Sequence, residues 1–187
     1  MRCIALSIVL AVATMPSLHA GDRLLTLDPQ RTHVDFVLDA TAHKVRGSFA
    51  LRSGSVHFDP ETGAASGEVE IDLTVGQTGN QKRDRTMHEK VLETERYPRA
   101  VFRLSGIEGA LAEQGSSEIA LAGTLVFHGA EHAMKLQAKV TRNGSHVAVE
   151  IQLTIPYVEW GLEDPSFFVL RVAKTVDVHV TAEGEVS

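Results

Sequence analysis

The sequence predicts an all-β fold: an antiparallel barrel of about eight strands with one short helix near residues 83–95. Three observations carry this. Apolar and polar side chains alternate over most of the chain, as they do in strands that turn one face to a core. Turn signals, above all Asn143-Gly144 and Asp59-Pro60-Glu61-Thr62-Gly63, separate the alternating runs. Long strands joined by such hairpins favour a closed barrel over a sandwich, because closure leaves no exposed edges.

The first twenty residues read as an address. Met1-Arg2 is followed by the apolar run from Cys3 to Ala13, then Pro16 and the small residue Ala20. This order predicts a secretory signal peptide cleaved near Ala20, and the run is too short for a transmembrane span. The expected domain is therefore 21–187, periplasmic or secreted. Cleavage would remove the chain's one cysteine and leave no disulfide framework.

The strands follow in order. One falls near 33–39. In 45–51 the apolar positions are Val45, Phe49 and Leu51; after Gly54 the phase flips to Val56 and Phe58, which predicts a bulge at Ser53-Gly54. Residues 69–75 place Val69, Ile71, Leu73 and Val75 on one face. From Arg83 to Glu95 the rhythm changes to good helix formers, stopped by Tyr97-Pro98. Strands resume at 99–108. Residues 119–127 carry apolar side chains on both faces, which predicts cover on both sides, with the helix as the candidate cover. Residues 134–140 and 147–155 alternate again, and the last strand is expected from Phe168 to Ala182, interrupted only by Lys174.

Composition excludes several classes. Asp and Glu outnumber Lys and Arg by 24 to 18, for a formal charge of −6, which argues against a nucleic-acid partner. No Gly-rich phosphate loop, nucleophile elbow or metalloprotease helix is present. The closest histidine pair, His128 and His132, flanks a glycine in an expected turn rather than a helix. Metal binding there would need further ligands to converge, so surface or rim histidines are the plainer reading. Asp84 suits a helix start, where it would cap free amides, and the Arg83 guanidinium suits a carboxylate or phosphate head group. Trp160 is a candidate barrel plug or ligand wall.

Several segments together resemble the YceI-like family of exported bacterial proteins. Asp28-Pro29 with Thr32, Val34 and Phe36 is similar to its opening strand. His43, Val45, Gly47 and Phe49 resemble its second stretch. Arg83-Asp84, Met87, Leu92, Tyr97-Pro98 and Phe102 match its most specific segment. Gly123-Thr124-Leu125 with His128-Gly129, and then Trp160-Gly161-Leu162, are similar to its later motifs. Arg31-Thr32 departs from the usual His-Ser, and no Arg precedes Trp160-Gly161.

The resemblance implies a lipocalin-like eight-stranded antiparallel barrel with a helix near one end. It also implies a non-catalytic role in binding a long amphiphile of the polyisoprenoid or isoprenoid-quinone kind, with no cofactor. The expected wall is Phe36, Phe49, Leu51, Phe102, Leu121, Leu125, Phe127, Leu153 and Phe168, with His43, Arg83 and Trp160 at the rim. Three alternatives stand beside this reading. They are a metal-binding protein using His128 and His132, an enzyme with an acid and a histidine paired in the cavity, and a plain barrel with a filled interior.

Overall fold

The computed structural model describes residues 21–41, 43–166 and 171–187. The expected signal peptide and Phe168 lie outside the described residues. Nine strands form one closed antiparallel sheet: β1 (Arg23–Leu27), β2 (His33–Asp39), β3 (Lys44–Phe58), β4 (Ala65–Gln77), β5 (Arg99–Glu108), β6 (Gly115–Phe127), β7 (Ala130–Asn143), β8 (His146–Ile155) and β9 (Val176–Val186). From β2 to β9 each strand pairs with the next, and β9 pairs back onto β2. This is an up-and-down barrel of eight staves, one of them double. β2 lies between residues 44–50 of β3 and 177–181 of β9, and β1 lies beyond it between 55–58 and 184–186 of the same two strands. The five residues of β1 are too few for a visible alternation, so the sequence pattern does not announce them.

Local chemistry explains the main irregularities. In β3 the phase flip falls at Arg52-Ser53, one residue before the expected Ser53-Gly54. Both side chains are exposed while Leu51 and Gly54 are buried, and the register against β4 slips between Leu51 and Ser53. An outward Arg at the bulge finds a carboxylate, with its Nε 3.0 Å from Oε1 of Glu70. The β7–β8 hairpin closes through Gly144-Ser145, with Gly144 at φ 65°. Among the described residues the last strand begins at Val176. Residues 171–175 lie outside it and meet the end of β2 through the Ala40–Val172 bridge and the Ala173 N–H, which donates to the Asp39 carbonyl at 2.7 Å. Lys174 marks that boundary rather than interrupting the strand.

The helical segment is shorter and less regular than expected. Helix α1 spans Gln81–Thr86 and runs into a π-helical turn at Met87–Val91, in which the Leu92 N–H reaches back to the Met87 carbonyl at 2.8 Å. Asn80, not Asp84, is the N-cap: its side-chain oxygen accepts from the N–H groups of Lys82 and Arg83, each at 3.1 Å. Asp84 reaches outside the helix instead, accepting from the Thr78 N–H at 2.8 Å and from its hydroxyl. The segment does not cover the outer face of β6. It lies across one end of the barrel with Met87, Val91 and Leu92 turned to the interior. No helix among the described residues is long and apolar enough to cross a membrane.

The barrel has two unlike ends. At the helix end lie α1, the described residues between β2 and β3, the His128-Gly129 turn, and residues 156–166 and 171–174. At the hairpin end lie three short connections, after β3, β5 and β7. Two buried clusters flank the interior. Leu73, Leu92, Leu125, Phe127, Tyr157 and Leu162 gather near the helix end, and Leu27, Leu51 and Ala182 nearer the hairpins. Between them, many inward side chains are only half-buried, including Phe49, Phe102, Leu121, Ile151 and Leu153. They face a space, not solvent outside the barrel.

Candidate ligand-binding cavity

That space is a cavity of about 630 Å³. Its wall runs the length of the barrel, from Thr78, Met87 and Pro165 at the helix end to Leu111, Glu113 and Arg142 at the hairpin end. The volume falls within the range of pockets that bind small molecules. β6 has 13 residues. At ~3.3 Å per residue and a strand tilt of ~40°, its stave reaches roughly 30 Å along the axis. The cavity is therefore long and narrow.

Its shape depends on pairs of phenylalanine and glycine. Phe36 lies opposite Gly47 in the β2–β3 register, and a Cβ on Gly47 would collide with the Phe36 ring. A Cβ on Gly76 would sit 2.7 Å from Cδ1 of Phe49 and closer still to its Cε1. A Cβ on Gly123 would sit 2.6 Å from Cζ of Phe102. Each ring thus lies against bare backbone on a neighbouring strand. With a side chain in place of the glycine hydrogen, the ring would have to stand out into the lumen. Phe36 and Phe49 are stacked, with ring centroids 5.2 Å apart.

Most of the expected wall residues line the cavity: Phe36, Phe49, Phe102, Leu121, Leu125, Phe127 and Leu153. Leu51 does not reach it; it is 4% exposed and packed with Leu27 and Ala182. The sequence reading overlooked Met87, Val91 and Leu92 from the helical segment, and Tyr157 and Leu162 from the loop after β8. The i, i+4 spacing of Met87 and Val91 was the available signal. No periodicity marks a loop that folds over a barrel end.

At the helix end His43 and Arg83 line the mouth, joined by Asn80 and Lys82. The Arg83 Nε donates to Oγ1 of Thr78 at 2.7 Å, and its Nη2 donates to the Thr78 carbonyl at 2.8 Å. Trp160 is not a wall residue. It stacks flat on His132, ring centroids 3.7 Å apart, with its edge toward Phe127. At the hairpin end Glu113 bridges two cations, 2.9 Å from Arg23 and 3.3 Å from Arg142. The hydrogen bond from Arg23 is the main influence holding the Glu113 carboxyl below the usual carboxylate range, against the opposing effect of desolvation.

The two histidines singled out from the sequence have different partners. His128 takes the turn position at φ 49°, lies 4.4 Å from the Tyr97 ring, and brings Nε2 within 3.0 Å of Glu93. His132 is occupied by its stack on Trp160. Among the described residues no three His, Cys, Asp or Glu side chains are placed to hold a metal ion. Nor do the described wall residues bring an acid and a histidine together: His43 is at one end and Glu113 at the other. Burial pushes the Tyr157 phenol up to about 12, with a smaller contribution from Asp164, and its hydroxyl donates to the Ala173 carbonyl at 2.7 Å. The wall therefore offers apolar surface throughout and polar chemistry at the two ends.

A comparison with curated proteins found no match. Solved structures do match. A polyisoprenoid-binding domain from Saccharophagus degradans, implicated in plant cell wall breakdown, superposes with a TM-score of 0.68 at 20% identity, covering 87% of this chain and 98% of that one. BcnA of Burkholderia cenocepacia gives 0.67 at 19% identity, covering 84% and 98%. The YceI protein of Campylobacter jejuni gives 0.53 at 17% identity, covering 75% and 86%. At these identities the likeness is one of fold. The family model described as the YceI-like domain matches residues 25–184, nearly the whole barrel, and on that match this chain belongs to the YceI-like family.

Proposed function

We propose that the chain is an exported, non-catalytic binding protein that holds a long amphiphile, of the polyisoprenoid or isoprenoid-quinone kind, inside the barrel. The observation that carries this is the cavity: about 630 Å³ of apolar-walled space where a filled barrel would have side chains. Space of that shape suits a chain-like molecule, and transfer of each methylene from water into it is favourable by roughly 0.8 kcal/mol. Binding then needs no specific chemistry along the wall. Membership of the YceI-like family and the fold shared with a polyisoprenoid-binding domain support the reading. The leader read from Met1 to Ala20 supports export. The test is native mass spectrometry of the purified chain, followed by organic extraction. A co-purifying lipid, or saturable uptake of an added long-chain isoprenoid, is expected. A protein that carries none and takes up none sinks the proposal.

A further inference from the structure

We infer that residues 109–114, the connection from β5 to β6, form a strap across the hairpin end of the barrel that sets the longest chain the cavity accepts. Leu111 is the stop and Glu113 the fastening. This rests on the ligand-binding reading above and adds a chain-length limit to it.

The strap crosses the opening instead of following its rim. Around the hairpin end the strands run β1, β3, β4, β5, β6, β7, β8, β9 and back to β1. β1 is thus three strands from β5 and four from β6. In a ring of eight, four steps reach the opposite wall. Yet Glu113 grips Arg23 of β1 with both carboxylate oxygens: Nη2 donates to Oε1 at 2.9 Å and Nη1 to Oε2 at 3.1 Å. The same carboxylate accepts from Nη1 of Arg142 on β7, at the near wall, at 3.3 Å. One side chain therefore ties two facing walls together over the end of the cavity.

The backbone is built for this crossing. Gly109 and Gly115, where the strap begins and ends, take φ of 111° and 86°, which other residues rarely adopt. The Ala112 N–H donates to the Ser117 hydroxyl at 2.8 Å, and Gln114 Oε1 accepts from the Gly144 N–H of the β7–β8 hairpin at 3.1 Å. Leu111 is the one large apolar residue of the strap. It is half-buried and lines the cavity, as does Pro60 from the β3–β4 turn. By contrast, His128-Gly129 and Gly144-Ser145 close their hairpins with two residues each and contribute nothing to the lining.

A stop fastened in this way can be undone. The Glu113 side chain is 65% exposed, and exposed ion pairs are individually weak and screened by salt. With the strap in place, a stave of roughly 30 Å holds roughly 25 main-chain carbons at about 1.2 Å each, the advance of an extended backbone, or about six isoprene units.

The test varies chain length. Purified protein is incubated with an equimolar series of linear isoprenoid alcohols, from four to ten units, in a non-ionic detergent, and the bound species are read by native mass spectrometry. The wild type should fill with chains up to about six units and reject the eight- and ten-unit alcohols. Glu113→Ala, Arg23→Gln, and the wild type loaded at high salt should each raise the ratio of eight- to six-unit alcohol roughly fivefold, the effect of losing one or two exposed ion pairs. Leu111→Ala, which shortens the stop and keeps the fastening, should raise the same ratio. Glu131→Ala removes an exposed acid that pairs with Arg103 on the barrel side, and should leave the profile as it is. A wild type that takes ten-unit chains as readily as six-unit chains overturns the inference while leaving the ligand reading standing. So does a profile unmoved by Leu111→Ala, or unmoved by Glu113→Ala and high salt alike. If Glu131→Ala shifts the profile as far as Glu113→Ala, the effect is one of barrel stability and the inference falls. Retention of no alcohol by any of these proteins overturns both readings.

Discussion

Replacing Gly76 by alanine should narrow the cavity without damaging the barrel. Gly76 carries no left-handed backbone angle, so the added methyl brings no backbone strain. Its three nearest neighbours would be side-chain atoms, two of Phe49, with Cδ1 at 2.7 Å, and Cε of Met87 at 3.2 Å. Carbon atoms rest comfortably at ~3.5–4.0 Å, so the Phe49 ring must retreat by about 1 Å or more. One side of its path holds the Phe36 ring, stacked at 5.2 Å, and the other holds the lumen. The ring should therefore swing into the lumen. A ring moved by about 1 Å takes up roughly one methylene's worth of ligand space, and at ~0.8 kcal/mol the affinity loss is ~1 kcal/mol, roughly fivefold. Stability should change little, near 1 kcal/mol at the low end of overpacking costs, because the ring has empty space to enter. Fluorophore-displacement titration and urea unfolding of the same protein measure the two quantities. Phe49→Ala in the Gly76→Ala background should restore binding. Wild-type affinity in Gly76→Ala, or no recovery in the double variant, would refute the idea that glycines keep the rings off the lumen.

Two further outcomes follow from the same packing. Leu73 and Leu121 both line the cavity, but Leu73 is 3% exposed and packed within the cluster at the helix end, whereas Leu121 is only half-buried. Leu73→Ala should cost about 3 kcal/mol in urea unfolding, and Leu121→Ala about 1 kcal/mol, since its neighbours are already partly empty space; equal losses would mean the interior is filled. Tyr157 should titrate late in an alkaline ultraviolet titration, near 12. A phenol whose folded value is raised contributes stability that is complete below its ordinary value of 10.0 and lost as pH climbs through about 12, because the unfolded chain releases the proton first. Tyr157→Phe should remove that alkaline loss, and an unchanged profile would show that the Ala173 hydrogen bond and burial do not govern it.

The strands were legible because a half-buried strand must alternate. Residues 99–108 and the Asn143-Gly144 hairpin could be placed within a residue or two from that constraint and from turn chemistry alone. Where the constraint lapses, so does the reading. β1 is too short to show a period, and the helix cap fell to Asn80 because its oxygen is the one positioned over the Lys82 and Arg83 amides.

The candidate site divides along the same line. Its inward aromatic and aliphatic residues, and the presence of a cation at Arg83, follow from side-chain order along the chain, because alternation assigns a face to every strand residue. That Leu51 is covered while Leu153 is not, that Trp160 stacks on His132 instead of lining the wall, and that Glu113 neutralises Arg142 while no acid lines the mouth beside Lys82 were settled by tertiary contacts. Alternation says which way a side chain points; it does not say what it meets. Whether two inward residues touch or leave a gap depends on barrel closure, on which ring finds a glycine across the strand boundary, and on how the loops fold over each end. Those contacts join residues far apart in the chain, such as Arg23, Glu113 and Arg142, and no local pattern contains them.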